Sequence, residues 1–295
     1  MIPWIIGFLT LQIIKKKSKY YKMRKLTTIL VLISGIYLIS CNSQSSVKEQ
    51  TACDSSKVSV SEHLLDATLW FQKSAEMRAS YYQCYNFAKL ALDNQLRLHK
   101  TSGKKAVVLD IDETVLDNSP YQGMLIQKGL SFTSETWKEW TKLANAKALS
   151  GAVEFTNYAK QKGVEVFYVS NRDVDESDVT ILNLTKEKFP FADAQHIYFR
   201  VNKESSKIPR YNQIAKEYRI LLFVGDNLRD FEEIFANRKV NFGFNQVDSM
   251  KSVFGERYIM LPNPMYGEWE KAIYGGTFPS EKERIKLKKQ VLQAF

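Results

Sequence analysis

Cysteine and histidine are scarce, with three of each in 295 residues. No Cys-x-x-Cys occurs and His63, His99 and His196 are scattered, so a zinc site is not expected. Acidic residues are absent from residues 1–40, where Lys15, Lys16, Lys17, Lys19, Lys22, Arg24 and Lys25 gather. That segment supplies most of the formal net charge of +10; without it, 35 basic residues face 32 acidic ones. A basic chain points to nucleic acid or a membrane surface, but the near-balanced remainder argues against nucleic acid as a partner. No internal repeat is present. What the chain has is 44% hydrophobic and 13% aromatic residues. Its length suffices for one good core and an accessory subdomain.

The N-terminus reads as a targeting segment, not as structure. From Met23 it runs Arg24-Lys25, an apolar stretch Leu26 to Ile39, then Ser40-Cys41. A mainly apolar stretch of fourteen residues is short for a spanning helix, which needs about 20. Leu38-Ile39-Ser40-Cys41 resembles the lipobox of bacterial lipoproteins, which implies lipidation of Cys41 and an envelope location, with the outer membrane expected. Ile2 to Ile14 forms a second apolar run before Lys15-Lys16-Lys17, so Met23 is the expected true start. Residues 1–40 are then the signal segment and 41–58 the lipidated Cys and a Ser-rich tether. Cys53 in that tether and Cys84 in a helical stretch would lie outside the cytoplasm, where a disulfide is permitted.

From residue 59 onward, helical and apolar-strand patterns alternate. Residues 61–100 carry helical spacing for two helices (Leu64, Leu65, Leu69, then Met77, Tyr81, Tyr85, Leu92). Thr101-Ser102-Gly103 breaks the pattern. Lys105 to Ile111, Val164 to Val169, His196 to Phe199 and Arg219 to Val224 read as strands. Asp117 to Pro120 reads as a turn, and a small, mainly helical insert spans about 117–150 around Trp137 and Trp140. Gly151 to Lys162, Val179 to Lys188, Tyr211 to Tyr218 and a basic stretch Glu281 to Leu292 read as helices; Phe231 to Phe235 is helical, and Val240 to Phe244 and Tyr258 to Leu261 are strands or loops. This alternation predicts an α/β fold with a doubly wound parallel sheet. Ligands in such sheets bind beyond the carboxyl ends of the strands.

Three strand ends carry polar chemistry: Asp110 and Asp112, Ser170-Asn171-Arg172, and Asp226-Asn227. Paired acids one residue apart repel unless a cation or a proton intervenes. An EF-hand is excluded, because Val115 stands where Gly is needed and Tyr121 where the bidentate Glu belongs. Phosphoryl transfer accounts for the set. Asp110 is the candidate nucleophile and Asp112 the candidate acid/base. Ser170 can donate to phosphate oxygens and Lys207 can neutralise charge. Asp110 and Asp226 suit a hard cation such as Mg²⁺, and Asp230, four residues on, could hold a metal-bound water.

Asp-x-Asp-x-Thr after one strand, Ser or Thr after the next, a Lys, and Gly-Asp-x-x-x-Asp form the motif set of the haloacid dehalogenase superfamily. Val108 to Asn118, Phe167 to Arg172, Val224 to Phe231 and Leu261 to Gly267 resemble, more closely, the class C acid phosphatases of the lipoprotein e 5′-nucleotidase type. The likeness runs from about Ser61 to Tyr274. It implies a Mg²⁺-dependent phosphomonoesterase acting through an aspartyl-phosphate, on nucleoside monophosphates, nicotinamide mononucleotide or a broader set of phosphomonoesters. By motif position Asp110 is nucleophile, Asp112 acid/base and a metal ligand through its backbone carbonyl, Asp226 a metal ligand and Asp230 outer shell. Lys207 is the family lysine, with Lys203 the weaker candidate. Asn171, Arg172, Trp137 and Tyr266 are expected at the substrate, while Trp140 is equally at home in the core. Ser170 replaces a common Thr and keeps the hydroxyl; Arg229 stands where relatives often have an acid. The rival readings are a phosphotransferase using an acceptor alcohol and a non-enzymatic nucleotide- or haem-binding lipoprotein.

Overall fold

The computed structural model describes residues 61–100 and 103–295. The expected signal segment, Cys41, the tether, Cys53 and the alternative start at Met23 lie outside the described residues. Two helices lead into the sheet: α1 (Leu65–Lys73) and α2 (Ala75–Leu98). Ser74 separates them, accepting from the Met77 amide at 3.0 Å as the N-cap of α2. Met77, Tyr81, Tyr85, Ala88 and Leu92 recur every three or four residues and form the buried stripe of α2.

The sheet contains β1 (Lys104–Leu109), β4 (Glu165–Asp173), β5 (Ile197–Arg200), β6 (Tyr218–Gly225) and β7 (Tyr258–Met260), in the order β5-β4-β1-β6-β7. Every pairing is parallel, and β1 is central. Successive side chains of a strand face opposite ways, so β1 feeds two cores. Val107 and Leu109 pack with Tyr81, Tyr85 and Leu92 of α2 and with Phe155 of α5 (Ala152–Gln161). Ala106 and Val108 pack with Tyr211 and Ile214 of α7 (Ile208–Ala215) and with Phe231 and Phe235. Burial on both faces explains why the strands read as continuous apolar runs. Helix α6 (Ser177–Lys186) links β4 to β5.

Between β1 and α5 stands the small insert. It holds β2 (Leu116–Asp117), α3 (Ser119–Lys128), α4 (Ser134–Lys142) and β3 (Lys147–Ala148), with β2 and β3 paired antiparallel at its base. Three local expectations change. The stretch Asp117 to Pro120 is not a free turn: it ends β2 and opens α3, with Pro120 in the first helical turn, where its missing N–H costs nothing. Val240 to Phe244 is neither strand nor loop; it winds through a 3₁₀ turn into α8 (Phe244–Ser249). β4 continues four residues past Val169, so Ser170, Asn171 and Arg172 lie on the strand itself. The chain closes with α9 (Glu268–Ile273) and α10 (Glu281–Val291).

Candidate active site

The carboxyl ends of β1, β4 and β6 lie side by side at one edge of the sheet, as those of neighbouring parallel strands must. Asp110 follows β1, and its amide donates to the Val224 carbonyl at 3.0 Å. Asp226 follows β6. A 3₁₀ turn at Leu228–Asp230 then folds Asp230 back, its Oδ2 accepting from the Asn227 amide at 2.9 Å. Gly225 makes this return possible, since a Cβ there would lie 2.4 Å from Asp230 Oδ2. The Tyr81 and Tyr85 hydroxyls of α2 donate to the Glu113 and Thr114 carbonyls at 2.5 and 2.6 Å. They tie down the loop after the nucleophile strand, where Glu113 is held at φ 55°.

Ligand atoms of Asp110, Asp226 and Asp230 lie within 4.8 Å of one another. Lys207, at the start of α7 and 3% exposed, pairs with Asp110 and with Asp230 Oδ1, the latter at 2.7 Å. Asp226 is held by neutral donors instead: Asn263 Nδ2 at 2.8 Å and Thr114 Oγ1 at 3.3 Å. Burial pushes the Asp226 carboxyl well above its usual range, and the Asp230 and Asp110 charges add to this. Burial likewise pushes Asp110 up to about 7, against the opposing pull of Lys207. Three carboxylates against one ammonium leave an excess of negative charge that a hard divalent cation with oxygen ligands would offset. The donor set fits such an ion. Asp230 has both oxygens engaged, by Lys207 and the Asn227 amide. Lys203 is exposed and Lys207 buried in the acid cluster, which separates the two candidate lysines.

Asp112 points into a different environment. Its Oδ1 accepts from Arg172 Nη2 at 2.7 Å, Arg172 Nε at 3.0 Å and Asn118 Nδ2 at 2.8 Å. The Asp112 side chain therefore stands apart from the acid cluster, and only its backbone is available to the metal role that the motif implied. Ser170 is fully buried; its Oγ accepts from the Arg172 amide at 3.0 Å and makes a long 3.4 Å contact to Asp112 Oδ2. Asn171 is exposed at the rim, held by Arg210 Nη2 at 2.7 Å.

Arg172, expected at the substrate, is buried and paired with Asp112. It is 4% exposed and its guanidinium is directed to Asp112, to Thr180 Oγ1 at 3.1 Å and to Asn118 Oδ1 at 3.4 Å. A buried cation must be paired, and Asp112 pairs it. Trp137 is half-buried, edge-on to Tyr121 with 5.2 Å between ring centroids, and the Arg172 guanidinium lies 5.6 Å from its ring. Tyr266 is half-buried against the core. Trp140 donates its Nε1 proton to Asn118 Oδ1 at 2.8 Å. Cys84 is free and half-buried, its thiol directed at the Met260 carbonyl at 3.3 Å.

Sequence reasoning passed over Asn118, Thr180 and Arg210, and gave Asn263 no role. Asn118 read as a turn residue, and Thr180 fell in the stretch Val179 to Lys188, read only as a helix. Arg210 donates to the Ser170 carbonyl at 2.5 Å and so fixes the end of β4. The one usable signal lay in the segments around them, since Asn118 and Asn263 fall within the motif-bearing stretches Val108–Asn118 and Leu261–Gly267.

Residues 26–269 match the family model of the haloacid dehalogenase superfamily, subfamily IIIB, acid phosphatase. The class C acid phosphatase of Bacillus anthracis shares 40% identity with this chain; its structure superposes with a TM-score of 0.76, covering 81% of this chain and all of that one. The same enzyme with tungstate bound superposes equally well. Among curated proteins, the stem 28 kDa glycoprotein of Glycine max is 27% identical over 204 residues, which is 66% of this chain and 69% of that protein. A stem 31 kDa glycoprotein of the same plant is 28% identical over 168 residues, and the match spans 54% of each protein. With Asp110, Lys207, Asp226 and Asp230 gathered at the strand ends of the matching fold, the chain belongs to the subfamily IIIB acid phosphatases of the haloacid dehalogenase superfamily and is a phosphomonoester hydrolase.

Proposed function

We propose that this phosphatase is Mg²⁺-dependent, works through an aspartyl-phosphate, and acts as a 5′-nucleotidase on nucleoside monophosphates or nicotinamide mononucleotide. The observation that carries the reading is the charge imbalance of the buried site. Asp110 and Asp230 share Lys207, and Asp226 has only neutral donors. A Mg²⁺ ion, bound by Asp110, Asp226 and the Asp112 carbonyl, would supply neutralisation of the carboxylates and of the substrate phosphate.

An Asp110 oxygen attacks phosphorus as the bond from phosphorus to the leaving oxygen breaks, and Asp112 gives that oxygen its proton. Asp112, now a carboxylate, takes a proton from water; the water oxygen attacks phosphorus and the Asp110–phosphorus bond breaks. Lys207 steadies Asp110 and the phosphate charge, and Ser170 with nearby backbone amides donates to phosphate oxygens. Trp137 and Tyr266 supply aromatic surface on which a base can stack, worth about 1–3 kcal/mol per contact. The lipobox reading adds an anchor at Cys41 and a site of action at the bacterial cell envelope.

The test is hydrolysis of p-nitrophenyl phosphate and a panel of nucleoside monophosphates by residues 42–295, with Mg²⁺ and with EDTA, beside Asp110→Asn. Activity should require Mg²⁺ and vanish in the variant, and nucleoside monophosphates should give the highest kcat/KM. Full activity in Asp110→Asn removes the nucleophile from this reading; equal turnover of all phosphomonoesters removes the nucleotidase. Labelling of Cys41 by palmitate in cells, abolished in Cys41→Ala, tests the anchor.

A further inference from the structure

The two oxygens of Asp112 are bound unequally. Oδ1 accepts three hydrogen bonds of 2.7 to 3.0 Å, two from Arg172 and one from Asn118. Oδ2 has only long contacts, 3.3 Å from Arg172 Nε and 3.4 Å from Ser170 Oγ. The Arg172 side chain is 2% exposed and that of Asp112 is 19% exposed, so the carboxylate opens outward from a buried guanidinium. Three donors saturate the lone pairs of Oδ1. Oδ2 remains available to a substrate.

Asn118 fixes this arrangement from the other side. Its Nδ2 binds Asp112, its Oδ1 accepts from Trp140 Nε1 at 2.8 Å and from Arg172 Nη2 at 3.4 Å, and its backbone amide donates to Glu113 Oε1 at 2.9 Å. An amide whose oxygen and nitrogen are both engaged cannot flip without losing bonds on both ends. Trp140 belongs to α4 of the insert, and Arg172 reaches from β4 to α6 through Thr180. Arg172 of β4 and Asn118, between β2 and α3, thus bind one carboxylate oxygen, and α4 braces that arrangement through the Trp140 bond to Asn118.

We propose that Arg172 and Asn118, the latter braced by Trp140, are positioning residues that clamp Asp112 Oδ1 and present Oδ2 to the leaving-group oxygen, so that seating of α4 aligns the proton donor; this rests on Asp112 being the acid/base. In the first half-reaction the Asp110–phosphorus bond forms, the bond from phosphorus to the leaving oxygen breaks, and that oxygen takes the proton from Oδ2. In the second, Oδ2 accepts the proton of the attacking water as that bond breaks. Arg172 and Trp140 touch no reacting atom.

A displaced proton donor matters most for substrates whose leaving oxygen is strongly basic. The decisive measurement is single-turnover release of the leaving group from 2-glycerophosphate, whose alkoxide needs the proton, and from p-nitrophenyl phosphate, whose phenolate departs without it. Correct proton transfer contributes roughly 10²–10⁴-fold. Arg172→Lys should lose about 100-fold on 2-glycerophosphate and under about 10-fold on p-nitrophenyl phosphate. Trp140→Phe, which keeps an aromatic ring and deletes the N–H donor, should lose about fivefold on the first and under about twofold on the second. KM should stay within about twofold for both substrates. Equal losses on the two substrates, no loss on either, or a raised KM with unchanged kcat overturns the clamp; the last outcome returns Arg172 to substrate binding. Asp112→Asn is the control for the underlying reading. If it fails to discriminate between the substrates, Asp112 is not the acid. If it discriminates and the folded clamp variants do not, the clamp alone is wrong. Should Arg172→Lys not fold, Trp140→Phe decides.

Discussion

Asp110 faces an ammonium and two further carboxylates, whereas Asp112, two positions on, faces a guanidinium and an amide. The sequence placed both at a strand tip but could not show which partner each would meet. The identity of the nearest cation decides what each acid can do. Lys207 is a point charge that can serve Asp110, Asp230 and a phosphate at once; Arg172 is a planar fork that locks one carboxylate oxygen. Replacing Lys207 with Met should leave three carboxylates without their ammonium. We expect kcat to fall by about 10²–10³, as when a single charge-stabilising donor is removed. Steady-state kinetics at saturating Mg²⁺ measures this, and a loss under about tenfold would mean that Lys207 serves the fold and not the reaction.

Elements shape the site through glycine and tyrosine as well as through charged groups. Gly225 lets the 3₁₀ turn after β6 bring Asp230 back against the strand. Gly225→Ala should therefore cost about 1–3 kcal/mol in chemical denaturation, the usual price of overpacking. It should also weaken Mg²⁺ binding, read by calorimetry, because Asp230 is forced away from Lys207. Helix α2 was legible from its spacing, but its role was not. Its tyrosines donate to the carbonyls of the loop after β1, so a helix read only as core also shapes the site. Leu92, fully buried on the same stripe, should cost about 2–5 kcal/mol as Ala. Catalysis by the folded fraction should persist, since Leu92 lies two turns from Tyr85 and touches no site residue among the contacts described.

For the molecule as a whole, the buried negative charge links metal, pH and stability. The Asp110 carboxyl is pushed from the usual range near 3.8 up to about 7, first by burial and then by Asp230 and Asp112. The folded state then holds a proton that the unfolded chain releases, so metal-free protein loses stability as pH rises from about 4 to about 7. Above about 7 that loss is complete. A thermal melt at pH 5 should exceed one at pH 7.5 in EDTA, and saturating Mg²⁺ should raise the higher-pH value most. At a hundredfold excess over Kd the gain is about 2.7 kcal/mol, or roughly 5–10 °C for a domain of this size. No helix among the described residues is long and apolar enough to cross a membrane.

The acid pairs and the serine were legible because each follows an apolar run, which is a local signal, and the lysine because of its place in the motif order. The parallel sheet followed from their alternation. Residues whose roles depend on a meeting across the fold were not legible. Asn118 looked like a turn, Trp140 like core, and Arg172 like a substrate contact. Hydrogen bonds across the fold bring Arg172 and Asn118 to Asp112, and bring Trp140, which also packs against the core, to Asn118. The sequence by itself determined which chemical groups stand at the strand tips. Tertiary structure alone decided which cation each acid would face, because charge pairing depends on distance in space and not on spacing along the chain.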